Sequence, residues 1–158
     1  MNKETCHTDL LKRLNCMLAQ SQGFFSDNEK EHAFSSDAME QIKEDGQHIL
    51  FLMKVINYVH HELDQGNSVS VRTAASAMCM CDRQFYRKMS KLTGYSPIVF
   101  IKTLKVRKAL LLLETEPPLR YYLVAEHCGF SDYSNFLRSF KSIIGMTPGE
   151  YRHLSKKI

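Results

Sequence analysis

Apolar residues along this chain recur mostly at helical spacing. Leu10, Leu14, Met17 and Leu18 form a short amphipathic stretch that stops near Gly23. Residues 21–37, rich in Ser, Asp, Asn and Glu, read as a linker. Asp37 with Glu40 three positions on matches a capping box, in which a side-chain oxygen and a carboxylate satisfy the free N–H groups of a helix start. Ile49, Leu52, Met53, Ile56, Val59 and Leu63 then make an apolar stripe closed by Gly66. Sustained period-two alternation is scarce, so the pattern predicts an all-α protein.

An internal repeat organises the rest. Val71, Ala74, Ala75, Met78, Cys79 and Met80 recur fifty positions on as Tyr121, Val124, Ala125, Cys128, Gly129 and Phe130. With one residue inserted, Phe85, Arg87, Met89 and Leu92 match Phe136, Arg138, Phe140 and Ile143. Gly94-Tyr95-Ser96-Pro97 matches Gly145-Met146-Thr147-Pro148, and Phe100 matches Tyr151. Apolar positions, arginines and turn residues repeat together, so the chain holds two copies of one unit. Each copy reads as a short helix, a tight turn and a second helix with apolar residues at i and i+4, a helix-turn-helix. Ala75 and Ala125 are small where two helices must meet. Gly129 suits a left-handed turn residue. Cys79 stands in that place in the first copy, so its turn is either strained by about a kilocalorie or two or differently shaped.

A longer helix separates the copies. Ser96 caps it, Pro97 fits its first turn, and Glu116-Pro117-Pro118 ends it. At about 100° per residue, Val99, Val106, Leu110 and Leu113 share one side, and Phe100, Leu104 and Leu111 lie roughly 130° away. Two apolar faces suit a helix packed against both units. The expected architecture is two helix-turn-helix subdomains, about 48–95 and 119–153, joined by a linker helix at about 97–115 and preceded by a helical leader at 1–47.

Charge sharpens the division. The 158-residue chain carries +4 overall, but residues 1–48 hold 5 Lys and Arg against 9 Asp and Glu, and the remainder holds 16 against 8. A basic region behind an acidic leader points to a polyanionic partner for that region. The five cysteines, Cys6, Cys16, Cys79, Cys81 and Cys128, are odd in number and scattered, which fits free thiols in a reducing compartment. They contain no Cys-x-x-Cys pair, so no metal or other cofactor is expected. No apolar run reaches the roughly 20 residues of a membrane span, and Met1–His7 is polar, so a cytoplasmic protein without a membrane partner is expected. His60-His61-Glu62 reads as helix surface, because adjacent histidines point to different faces. No nucleophile elbow, phosphate loop or paired-carboxylate pattern marks an enzyme.

The repeat resembles the AraC/XylS family of bacterial transcription regulators. The residues that carry the likeness are Gln84-Phe85-Tyr86-Arg87-Lys88, Leu92-Thr93-Gly94-Tyr95-Ser96-Pro97, Cys128-Gly129-Phe130-Ser131-Asp132, Phe136-x-Arg138-x-Phe140 and Gly145-x-Thr147-Pro148-x-x-Tyr151. They cover about residues 48–153. The resemblance implies that residues 48–158 are a DNA-binding domain of this type. It also implies two recognition helices in successive major-groove segments on one face of DNA, about 34 Å apart. Members of that family commonly have Gly where Cys79 stands, a Ser cap where Cys81 stands, and small or acidic residues at Tyr122 and Leu123.

Within that frame, Phe85, Met89 and Leu92 take the core side of the first recognition helix, leaving Arg83, Tyr86 and Arg87 to read bases. An arginine can donate two parallel bonds to guanine, and a tyrosine can contact a thymine methyl group or a phosphate. In the second helix Phe136, Phe140 and Ile144 face the core, leaving Tyr133, Ser134, Asn135 and Arg138. Gln84, Lys88, Lys91 and Lys141 are expected on phosphates, which set register rather than sequence. The expected function is a sequence-specific regulator, an activator, with double-stranded DNA and RNA polymerase as partners. A homodimer, or a fused upstream sensor or receiver domain, would complete it. One alternative is an interaction module that contacts RNA polymerase or another regulator through Tyr121, Tyr122 and Leu123 without reading DNA. A DNA-repair methyl acceptor would need four cysteines ahead of the repeat, where only Cys6 and Cys16 stand.

Overall fold

The computed structural model describes residues 36–115 and 118–155. The predicted leader helix at 10–18 and nearly all of the predicted linker lie outside them. So do the side chains of Asp37 and Glu40. Seven helices run through the described residues: α1 (Ser36–Asp64), α2 (Val71–Ala77), α3 (Asp82–Thr93), α4 (Pro97–Leu113), α5 (Tyr121–His127), α6 (Tyr133–Ile144) and α7 (Pro148–Ser155), with no strand among them. The all-α expectation holds. None of these helices is long and apolar enough to cross a membrane.

Two separate cores form, one per repeat. Phe51, Leu52, Val55, Ile56, Val59 and Leu63 of α1 close over Ala74, Ala75, Phe85 and Met89 in the first. Val124, Ala125, Cys128, Phe130, Phe136, Phe140 and Ile143 build the second. The stripe read from α1 needs one correction: Ile49 is 45% exposed, and Phe51 and Val55 are buried instead. Phe51 lies edge-on to Phe85, with ring centroids 6.3 Å apart, a contact that joins the middle of α1 to α3.

The linker helix α4 serves both cores, but lengthwise. Phe100, Ile101 and Leu104 enter the first core, with Val99 packed beside it. Val106, Ala109 and Leu113 enter the second. Leu111, assigned to an apolar face by periodicity, is 60% exposed. A helix crossing between two bodies presents each turn to a different neighbour, so position along it outweighs angle around it. Ser96 accepts a hydrogen bond from Val99 N–H at 3.4 Å and Pro97 is the first helical residue, as the sequence indicated.

The two heads are tied to each other. Lys105 of α4 donates to the Gly129 carbonyl at 2.8 Å, and Lys108 of α4 pairs with Asp64 at the end of α1 at 2.7 Å. Leu63 of α1 lies so close to Gly129 that a Cβ there would stand 2.7 Å from Leu63 Cδ2. His60 is half-buried where α1 faces α4. Burial holds its imidazole below the ordinary value, helped by the positive charge of Arg107, so it is more enclosed than a surface reading implied.

Candidate nucleic-acid interface

Both turns have the same shape. Met78 and Cys128 close their helices at φ −90° with ψ 9° and 6°. The next residue is left-handed in each, Cys79 at φ 55° and Gly129 at φ 68°. The hydrogen bonds match as well: Met80 N–H donates to the Ala75 carbonyl at 3.0 Å, and Phe130 N–H to Ala125 at 3.0 Å. Of the two outcomes left open for Cys79, the strained one holds. The thiol-bearing residue takes the glycine conformation, at a cost of about 1–2 kcal/mol.

The recognition helices begin differently. Asp132 caps α6 with both carboxylate oxygens, accepting from Ser134 N–H at 3.1 Å and Asn135 N–H at 3.0 Å. This satisfies two donors and places negative charge at the positive end of the helix dipole. At α3 the cap residue is Cys81, whose sulfur is a weak acceptor. Gln84 answers with its Oε1, which accepts from Cys81 N–H at 3.3 Å. Both helices stop at a left-handed glycine, Gly94 or Gly145.

The core faces of α3 and α6 are close to expectation. Phe85, Met89 and Thr93 are buried in α3, with Leu92 only partly so; Phe136, Ser139, Phe140 and Ile143 are buried in α6. Ile143 rather than Ile144 is the deeper of that pair, matching its place in the repeat. On the outer face of α3, Arg83, Gln84, Arg87 and Lys91 are exposed and Tyr86 is half-buried. On α6, Tyr133, Ser134, Arg138 and Lys141 are exposed and Asn135 is half-buried.

Some predicted contacts have a second engagement within the head. Gln84 helps cap α3, as above. Lys88 Nζ sits 4.1 Å from the centre of the Phe51 ring, a cation–π contact that fastens α3 to α1. Asn135 Oδ1 accepts from Ser139 Oγ at 3.3 Å. It lines an open groove between α4 and α6 with Lys102, Arg138 and Ser142. Lys102, on α4, was not singled out in the sequence, because nothing in its neighbours shows that a second helix brings it beside Arg138.

The last helix braces the second head. Tyr151 donates to Glu114 at 2.6 Å, tying α7 to the end of α4. Burial, reinforced by Glu114, pushes the phenol up to about 12. Arg152 donates to the Leu119 carbonyl at 2.6 Å and lies 4.3 Å from the Tyr121 ring centre. Thr147 and Glu150 form a capping box at the start of α7, with Thr147 N–H donating to Glu150 at 2.7 Å.

Two short helix pairs, each presenting an exposed arginine at an equivalent place on its second helix, are held by one linker. Known proteins resemble this chain in sequence and fold. The family model described as a helix-turn-helix domain matches residues 74–153. The probable transcriptional regulator LumQ of Photobacterium leiognathi is 30% identical over 105 residues, 65% of this chain and 40% of LumQ. The HTH-type transcriptional activator RhaR of Salmonella arizonae is 30% identical over 95 residues, 58% of this chain and 33% of RhaR. The chain thus spans well under half the length of these curated relatives. The DNA-binding domain of AdpA, a global transcriptional factor solved in complex with a target DNA, superposes with a TM-score of 0.57. That match has 28% identity and covers 66% of this chain and 94% of AdpA's domain. The repeat, the paired turns and the matching family model together make this chain a member of the AraC-type helix-turn-helix family of DNA-binding transcription regulators.

Proposed function

We propose that this chain is a sequence-specific activator that lays α3 and α6 in successive major-groove segments. Arg83, Tyr86 and Arg87 read bases from the first helix, and Tyr133, Ser134, Asn135 and Arg138 from the second. Gln84, Lys88, Lys91 and Lys141 contact phosphates, joined by Lys102 from the linker helix. The observation that carries this reading is the equivalence of Arg87 and Arg138. Both are exposed, at the same position of a repeated unit whose turn geometry coincides. RNA polymerase as partner, action in the cytoplasm, and pairing with a second copy or an upstream sensor or receiver domain complete the proposal. The greater length of LumQ and RhaR supports such a fused domain.

Selection of genomic fragments on the purified chain tests it. Recovery of a common sequence is expected, with affinity falling steeply as salt rises because bound phosphates release counterions. Failure to bind any DNA in a salt-sensitive way would transfer the function to protein contact. One observation favours that second reading: Tyr122 is 52% exposed, on a groove lined by Arg120, Tyr121, Tyr133 and Arg152.

A further inference from the structure

Four consecutive residues at the first turn carry sulfur: Met78, Cys79, Met80 and Cys81. Cys79 and Cys81 are exposed. Met78 and Met80 pack against the first core, leaving the two thiols as the outward-facing donors. Successive α-carbons are about 3.8 Å apart, so the α-carbons of Cys79 and Cys81 lie within roughly 7.6 Å, a span that two cysteine side chains can bridge to one ion. Both stand at the entry to α3, one residue or three ahead of Asp82.

The donor set selects the ion. Zinc in a structural site takes four ligands, and among the described residues no group of three His, Cys, Asp or Glu gathers anywhere. Hard cations want several oxygens. The nearest carboxylate in sequence, Asp82, lies 3.9 Å from the Arg72 guanidinium. Two thiolates without further hard donors suit a soft ion content with two ligands, which is the chemistry of copper(I). Cys128 offers no competition, since it is buried and burial pushes its thiol up to about 12.

We propose that Cys79 and Cys81 form a two-thiolate site for a soft monovalent cation of copper(I) type, and that filling it disables the first recognition helix. One ion and two neutral thiols become a bis-thiolate complex of charge −1, with two protons released to solvent. No electron is transferred. The complex would stand at the start of α3, two residues ahead of Arg83, on the helix proposed to enter the groove. Negative charge there repels DNA. The metal site stands on its own; its effect on DNA rests on the function proposed above.

The test uses the full chain carrying C6S and C16S, so that only the thiols at 79, 81 and 128 remain. Copper(I) is offered anaerobically from its bicinchoninate complex. One equivalent should be withdrawn, with thiolate-to-copper charge-transfer absorption and release of two protons. A second protein with C79G and C81S added should withdraw none. Glycine suits φ 55° and serine is a better cap, so this variant keeps its fold, which circular dichroism checks. On the selected DNA, copper(I) should weaken the first protein by at least about fivefold, through the repulsion of the added negative charge, and leave the second unchanged. Equal copper uptake by the two proteins overturns the site. Uptake with unchanged DNA affinity overturns the switch. If neither protein binds DNA before copper is added, the regulatory reading fails, and the uptake comparison still decides the site.

Discussion

Gly129→Ala separates what a turn needs from what the pairing of the heads needs. At φ 68° an alanine is disfavoured by about 1–2 kcal/mol, whatever surrounds it. Its Cβ would also stand 2.7 Å from Leu63 Cδ2 and 3.4 Å from the Asn67 carbonyl oxygen. Leu63 is a flexible side chain and can yield, at about 0.5–1.5 kcal/mol for leaving its preferred rotamer. The expected loss is therefore about 1.5–3.5 kcal/mol. Gly145→Ala is the control: φ is 86° and nothing lies within 4 Å of its Cβ, so only the backbone term of about 1–2 kcal/mol applies. Urea unfolding of both variants reads the difference. The second readout is DNA. A Leu63 side chain that leaves its rotamer no longer packs on Gly129, and the junction that spaces the two heads loosens. Gly129→Ala should then lose more affinity for a site with both half-sites than for either half-site alone, and Gly145→Ala should lose nothing selectively. If the two variants are equally destabilised and show the same ratio of full-site to half-site affinity, the Leu63–Gly129 contact does not set the spacing of the heads.

Arg87→Ala and Arg138→Ala should each cost roughly 1–3 kcal/mol on the selected site and far less on random DNA; equal losses on both would reassign them to phosphates. Cys81→Ser should raise the melting midpoint, by about 0.5–1 kcal/mol of stability, because a hydroxyl accepts the free N–H groups of α3 better than sulfur does; a lower midpoint would contradict the assignment of Cys81 as a poor cap. The Asp64 carboxyl is held below its ordinary 3.8, first by the hydrogen bond from Lys108 and then by that residue's charge. Its contribution is fully present above pH 3.8 and is lost as pH falls through the lowered folded value. Asp64→Asn should therefore be less stable than the parent at neutral pH and converge with it in acid, as followed by urea midpoints across pH. A constant gap across that range would show that Lys108–Asp64 does not couple the end of α1 to α4 electrostatically.

The readable parts of this fold are those written in short stretches of chain. Ser96 before Pro97 and the glycines at 94 and 145 each act on neighbours within one helical turn, and each does what its local chemistry dictates. The repeat added a second, independent copy of the same evidence, which is why Arg87 and Arg138 emerged as a pair. What escaped sequence reasoning depends on residues far apart in the chain. Leu111 keeps helical period with its neighbours yet faces solvent, because α4 has left the first head by that point. Lys102 meets Asn135 and Arg138 only through the packing of α4 on α6. Lys105, which no local pattern marks, is half-buried against Gly129, and burial lowers its ammonium pKa.

The inequality between Cys79 and Gly129 follows from the same distinction. Both occupy the left-handed position of equivalent turns, so both bear the same backbone demand. The second turn lies under another element: Leu63 and Asn67 crowd it from one side, and Lys105 holds its carbonyl from the other. A side chain there must displace the contact that joins the heads. The first turn faces outward, with the Cys79 side chain exposed, so it has only the strain of about 1–2 kcal/mol to overcome. The asymmetry of the repeat is thus a consequence of how the heads dock. The head whose turn is not used for docking is the one free to carry reactive side chains beside its recognition helix, and that is where the two exposed thiols stand.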